Sequence, residues 1–285
     1  MLLARSWLLI HPPDYRRLAG SLQVLLSVGQ WFTMSPEAHD LLSGKGVVMT
    51  REDLILGIDT SSLRGSIGLI RGEQTVASSS FRPERGHSGS LPMRIRDLVE
   101  ESSAKPKELA GIGVSNGPGS FTALRVGVAT AQGLGLGLGV PVVPVGSLEV
   151  VAAGLPGEIG KALVLVPARK NEVFAQRFEY DSAVGWMGVD VVSCVKVEEL
   201  LSVAGETRFV AGPAIDLYSE EITALLGKDA VFAEPSCRYA RGDVAARIAG
   251  KAIRAGSETY SAENVTIRYL QSHGALTIKE REGRP

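Results

Sequence analysis

Cysteine is nearly missing from this chain. Its two cysteines, Cys194 and Cys237, stand well apart in the C-terminal half. That excludes a disulfide framework or a cysteine metal cluster and fits a reducing, cytoplasmic compartment. Histidine is as scarce: His11, His39, His87 and His273 show no paired ligand spacing, and no H-E-x-x-H motif occurs. Neither sign of charge is in excess. With 30 basic and 31 acidic residues the formal charge is -1, so no global field draws the chain to nucleic acid or an anionic membrane, though local basic patches stay open. Long apolar runs are lacking too. Leu8-Leu9-Ile10 is cut off by His11-Pro12-Pro13, and Leu22 to Phe32 is too short to span a bilayer.

What is present is glycine, 33 residues of it, in a chain of 285 residues that is 45% hydrophobic. That length and composition suit an α/β globular protein with room for two domains. A break in composition precedes Met49. Residues 1–48 are expected to be a poorly ordered extension or the product of an assumed upstream start. Residues 49–155 then make an N-terminal lobe and residues 156–285 a smaller C-terminal lobe.

Leu54 to Asp59 is an apolar run that ends in an acid and leads into Thr60-Ser61-Ser62. Gly65 to Ile70 and Gln74 to Phe81 follow on short links, which predicts an antiparallel meander. Leu91, Ile95, Leu98 and Val99 share one helical stripe, closed by Lys105-Pro106. Leu109 to Ser115 reads as a fourth strand, then a helix runs from Thr122 to about Leu134 with Ser120 or Thr122 as its cap. Gly133, Gly135, Gly137 and Gly139 are expected to end it. The extended run Val140 to Val145 carries prolines suited to an edge strand, and Ser147 is expected to cap a short helix over 148–153. Beyond a hinge at 154–157, strands are predicted near 162–167, 172–180, 190–197 and 208–212, and helices over 215–226 and 243–252. The tail from 264 to 278 reads as extended or irregular.

Two glycine-bearing loops carry the candidate chemistry. In the first, Asp59, Thr60, Ser61 and Gly65 set an acid and hydroxyls at a strand end. Some ATP-dependent folds hold phosphate and metal this way, but the same residues also read as an Asx or ST turn in a hairpin. The second, Asn116-Gly117-Pro118-Gly119-Ser120, joins a strand to a helix N-terminus and reads equally as an anion cradle or a structural turn. No lysine follows its glycines, so it is not a Walker A loop, and it does not have the G-x-G-x-x-G pattern of a dinucleotide fingerprint. Arg125 alone offers the positive charge that phosphoryl transfer requires. His87-Ser88 reads better as helix-capping than as a base and hydroxyl, and Cys194 as a small buried hydrophobe.

The runs Ile55-Leu56-Gly57-Ile58-Asp59-Thr60-Ser61-Ser62 and Gly113 to Gly127, with His87-Ser88 and Ala131-Gln132-Gly133-Leu134, resemble the bacterial TsaB (YeaZ) family. The resemblance covers residues 54–153. Over 160–285 it is looser, resting on Ala168-Arg169 and Glu172-Val173-Phe174, and Pro167-Ala168-Arg169-Lys170-Asn171 lacks the acid that usually opens the second lobe's motif. It implies a two-lobed fold of the actin/Hsp70/sugar-kinase-like superfamily, the lobes sharing a topology. It also implies a noncatalytic subunit in forming N6-threonylcarbamoyladenosine (t6A) at tRNA position 37. Its partners would be a TsaD-like transferase, a TsaE-like ATPase and, through the complex, tRNA, with a homodimer when the partner is absent. No membrane association, tightly bound cofactor, metal or ATP is expected. The rival readings are an ATP-binding enzyme of the same superfamily, a nucleic-acid-binding module, against which the near-neutral charge counts for a lone binder, and, least favoured, a glycoprotease-like peptidase.

The helix from Thr122 is small or apolar on nearly every side, so one side packs on its own sheet and the other is free for a partner. Leu91, Arg94, Ile95, Leu98, Leu124, Gly127, Val128 and Ala131 are the interface expected on it and its neighbour. Gly127 and Ala131, one turn apart, are the candidates for close approach, and the sequence does not settle which faces outward.

Overall fold

Every residue of β1 (Leu54–Asp59) is buried, because the strand is central in its sheet and covered on both faces. This computed structural model describes residues 53–82, 90–256 and 261–270. The expectations for residues 1–48, Met49, His87-Ser88 and all four histidines fall outside them. β1, β2 (Gly65–Arg71) and β3 (Gln74–Phe81) form the expected antiparallel meander. After α1 (Ser90–Glu101), β4 (Leu109–Gly117) lies parallel to β1. After α2 (Phe121–Leu138), β5 (Val142–Gly146) lies parallel to β4. The order is β3-β2-β1-β4-β5, with the proline-bearing β5 at an edge, where a missing N–H costs no ladder bond.

α3 (Ser147–Ala153) leads into a second sheet. β6 (Lys161–Pro167), β7 (Glu172–Asp181) and β8 (Gly185–Gly188) again run antiparallel, and β9 (Ser193–Lys196) pairs with β7. Beyond α4 (Leu201–Ala204), β10 (Phe209–Ala211) lies parallel to β6. Beyond α5 (Ile215–Leu226), β11 (Val231–Phe232) lies parallel to β10. The order β8-β7-β6-β10-β11 repeats that of the first sheet. The two lobes thus share one topology.

Three apolar clusters show how the layers stack. One joins the outer face of the first sheet to α1 and α2, and another joins the outer face of the second sheet to α4 and α5. Between the sheets lie α3 and the last α-helix among the described residues, α6 (Gly242–Ala255), in a core fed by both lobes. The expected boundary near residue 155 therefore needs correction. The chain leaves the first lobe there, but α6 and residues 261–270 return to it, since α6 packs on β1, β2 and β4.

What lets α6 return is a row of glycines. Gly57 pairs across the ladder with Gly68 on one side and Gly113 on the other. A Cβ at Gly57 would stand 1.8 Å from the Gly242 carbonyl oxygen, at Gly68 2.3 Å from the Asp243 nitrogen, and at Gly113 2.5 Å from the Ala245 carbonyl oxygen. The facing stripe of α6 is Gly242, Ala245, Ala246 and Ala249, all buried, so helix and sheet meet backbone to backbone. Polar groups fix the register. Gly242 N donates to Ser66 Oγ at 3.0 Å. Asp243, with its side chain only 5% exposed, receives Arg241 at 2.8 Å, Arg247 at 3.1 Å and Thr75 Oγ1 at 3.0 Å. Burial alone would raise the Asp243 pKa; the two guanidiniums and the Thr75 hydroxyl outweigh it and hold the carboxyl below its usual range.

Other expectations need adjusting. α2 continues through Gly133, Gly135 and Gly137 and stops at Gly139, whose φ is +68°. Each helical glycine costs about 1 kcal/mol, but Leu134 and Gly135 are buried here, and a Cβ at Gly135 would stand 2.4 Å from Val142. Ser120 is the N-cap residue of α2 and Ser147 the first residue of α3, yet neither supplies a side-chain cap. Sequence reading missed β8 and β11, which are short. No described helix is long and apolar enough to cross a membrane.

Two glycine-to-alanine changes should move stability in opposite directions. Gly57→Ala overpacks the seat of α6 and should cost roughly 1–3 kcal/mol or more. Gly133→Ala, whose new methyl meets nothing within 4 Å, should gain up to about 1 kcal/mol. Urea unfolding of both variants beside the parent checks the pair.

Candidate functional site

Asp59 ends β1 fully buried, and Ser115 lies in the next strand, fully buried too. Asp59 Oδ1 accepts a long bond of 3.4 Å from Ser61 N. Oδ2, Ser115 Oγ and Asn116 Oδ1 complete no hydrogen bond of good geometry. Burial pushes the Asp59 carboxyl up to about 6, against the opposing pull of the nearby Ser115 and Ser61 groups. An acid this deep cannot meet a ligand unless the loops above it open.

Those loops are closed on each other. Ser120 N donates to the Ser61 carbonyl oxygen at 2.8 Å, and Thr60 Oγ1 to the Ala123 carbonyl oxygen at 2.7 Å. Gly119, with φ +157°, lies so near that a Cβ would stand 2.2 Å from the Ser61 oxygen. A Cβ at Gly127 would stand 2.3 Å from Thr60 Oγ1, so this glycine seats α2 on the first loop. The chain's own C-terminal segment covers the second loop. Asn116 Nδ2 donates to the Thr266 carbonyl oxygen at 3.0 Å, and Arg268 N to the Asn116 carbonyl oxygen at 2.8 Å. Gly117, with φ +118°, passes so close that a Cβ would stand 2.7 Å from the Arg268 oxygen. Gly65 serves another purpose: its missing Cβ leaves room for the Phe81 ring.

The structure thus brings Asp59, Thr60, Ser61, Asn116, Gly117, Gly119 and Ser120 together, and sets Gly65 apart in the packing of β2. The expected partner face divides differently. Leu91, Ile95, Leu98, Leu124, Gly127, Val128 and Ala131 are all buried within this chain, so neither Gly127 nor Ala131 looks outward. Arg94 is exposed, 4.9 Å over the Phe81 ring. The exposed positions of α2 are Phe121, Thr122, Arg125, Ala129, Gly133 and Leu136. Apolar moments of α2 are weak because small residues occupy both sides, which is why sequence alone could not orient it.

Beside the loops a cleft of about 670 Å³ opens between the lobes. Leu63, Phe121, Leu217, Tyr269 and Leu270 stand exposed around it. Phe121 and Tyr269 lie 5.0 Å apart at 38°. The Arg125 guanidinium sits 3.9 Å over Phe121 and reaches the Tyr269 hydroxyl at 3.5 Å. Cys194, expected to be a buried small hydrophobe, is half-buried: it packs against the core between the sheets and also lines the cleft. Across the mouth, Asp216 accepts from Arg238 at 2.8 Å and from the Tyr239 hydroxyl at 2.6 Å, and Arg64 stacks 4.7 Å over Tyr239. Arg64 belongs to the first lobe and Asp216 to the second, so this cluster ties the two together. Sequence reading passed over the aromatic pair and this cluster, whose members meet only through the fold.

A family model described as TsaD: tRNA N6-adenosine threonylcarbamoyltransferase matches residues 78–262, more than half of the chain. The chain belongs to this family. TsaB and YeaZ proteins are among the relatives to which it is similar. The tRNA threonylcarbamoyladenosine biosynthesis protein TsaB of Bacillus subtilis (strain 168) is 31% identical over 126 residues, 44% of this chain and 55% of that protein. TsaB of Escherichia coli (strain K12) is 31% identical over 146 residues, 50% of this chain and 63% of that one. The matched stretch therefore spans less than two thirds of either relative. The structure of YeaZ from Pseudomonas aeruginosa superposes with a TM-score of 0.65 at 24% identity, covering 76% of this chain and all of that one. That likeness shows the two-lobed TsaB/YeaZ fold.

The depth of Asp59 predicts how stability depends on pH. Its folded pKa of about 6 lies above the usual 3.8, so the folded state holds the proton more tightly than the unfolded chain. Stability should fall as pH rises from about 4 to about 6 and stay level above, a loss on the order of 3 kcal/mol. Asp59→Asn should abolish that slope. Asp243, with its lowered pKa, acts below this window: the stability it contributes is lost as pH falls beneath about 4. Denaturant unfolding between pH 4 and pH 7 checks the claim, and equal slopes for parent and variant would contradict it.

Proposed function

We propose that this chain is a noncatalytic subunit in t6A formation at tRNA position 37, binding and supporting a TsaD-like transferase together with a TsaE-like ATPase. Membership of the family and the TsaB names of its relatives support the t6A role. The observation that carries the noncatalytic reading is the mutual closure of the two glycine loops. A nucleotide-binding relative needs backbone N–H groups aimed at phosphate. Here Ser120 N is spent on the Ser61 carbonyl, Ser61 N on Asp59, and Arg268 lies across Gly117. These residues fit a bound triphosphate and its metal poorly, so this subunit works without ATP of its own.

In this reading the partner meets the outward side of α2 and the neighbouring surface of α1. Ala129 and Gly133 are exposed there one turn apart, with the half-buried Gly137 a turn further on; a Cβ at either glycine would meet nothing within 4 Å. Leu136 on α2 and Met93 on α1 are 50% and 45% exposed, apolar side chains that a partner would cover. A facing helix could approach closely along such a stripe. The subunit acts in the cytoplasm, and it pairs with itself when the partner is absent.

Binding to a TsaD-like subunit, measured by calorimetry beside each variant's thermal melt, tests this. Leu136→Glu and Gly133→Leu should weaken binding at least about tenfold with the melt nearly unchanged, as expected for central interface positions. Gly127→Leu should lower the melt itself, since its side chain would enter Thr60. Unchanged affinity in both surface variants would place the interface elsewhere.

A further inference from the structure

The aromatic rim of the inter-lobe cleft is left unused by the partner-helix reading. Phe121 and Tyr269 are 49% and 50% exposed, and their pairing comes from two segments far apart in sequence. Around them Arg125, Arg169 and Arg268 are exposed and make no ion pair among the described residues, although Arg268 lies within electrostatic reach of Glu149. Of the two acids lining the cleft, Asp216 is already engaged by Arg238 and Tyr239. A chain with a formal charge of -1 therefore carries a local cationic, aromatic surface at one opening.

We propose that this rim binds an unstacked nucleotide of single-stranded RNA, its base against the Phe121–Tyr269 pair and its flanking phosphates on Arg125, Arg169 and Arg268. Base faces stack on aromatic rings and guanidinium planes, and phosphates pair with arginine in bidentate fashion. A cleft of about 670 Å³ is of the size that admits one such unit. On its wall Glu172 holds a carboxylate oxygen buried without a hydrogen-bond partner, an acceptor suited to the amino edge of a base. An acidic peptide would satisfy the arginines but would leave the aromatic rings without a stacking partner. Duplex RNA offers no free base to enter the cleft. The inference rests on the preceding reading only in taking tRNA as the natural RNA.

Fluorescence anisotropy of the full chain tests it, using a labelled RNA hairpin with a single-stranded loop, a loop-free RNA duplex and polyglutamate. The hairpin should bind best, and Phe121→Ala or Tyr269→Ala should weaken it about 5- to 100-fold. Arg169→Ala should instead reduce the slope of log affinity against log salt by about 0.7. Phe121→Leu, which keeps the apolar volume, and a circular dichroism melt of each variant separate lost stacking from lost folding. Absence of hairpin binding, equal binding of the duplex, preference for polyglutamate, or ring variants that bind like the parent would each overturn the proposal. Calorimetry of Phe121→Ala with the TsaD-like subunit keeps the two readings distinct. Retained assembly with no RNA binding in the parent sinks this inference alone, and RNA binding without assembly sinks the other alone.

Discussion

The contact on which the rest depends is the backbone-to-backbone approach of α6 to the first sheet. Three glycines in one row, Gly68, Gly57 and Gly113, remove every side chain that would hold the helix away. The helix answers with Gly242 and three alanines. Because α6 belongs to the last part of the chain, this contact brings the second lobe home and closes the core between the sheets. The Asp243 cluster and the Ser66 bond then fix its position along the strands. Dispersion between closely apposed backbones is weak per atom pair but large in sum, and it tolerates no added methyl.

The same close packing decides what the glycine loops do. A loop that cradles phosphate needs its N–H groups free. In this chain Ser120 N is taken by the Ser61 carbonyl and Ser61 N by Asp59, while Gly119, Gly127 and Gly117 lie tight against Ser61, Thr60 and Arg268. Glycines that read as permission for a ligand serve instead as permission for backbone to approach backbone. Asp59 is left buried beneath them with a raised pKa, and the accessible surface moves to the rim, where aromatic and cationic side chains gather.

Much of the fold was legible in the sequence. The meander, the stripe of Leu91, Ile95, Leu98 and Val99, and the strand and helix at 172–180 and 215–226 follow from periodicity, which local patterns record well. The shared topology of the lobes came from the family resemblance. What was not legible depended on distant partners. The length of α2 is set by Val142 and Ala262 packing under Gly135, and its orientation by Thr60. The return of α6 to the first lobe needs the glycine row, which looks like scattered flexibility until the strands are aligned. Phe121 stood in plain view within a glycine motif, but its partner Tyr269 comes from the tail, so the pair had no local signature.

Closure of the two loops to phosphate is tested most directly by one titration. Calorimetry of the full chain with ATP and magnesium should give no saturable heat, and Asp59→Asn should change nothing in that titration. A saturable binding curve for the parent that disappears in Asp59→Asn would contradict the account, because it would mean that the loops open and the buried acid holds the nucleotide's metal.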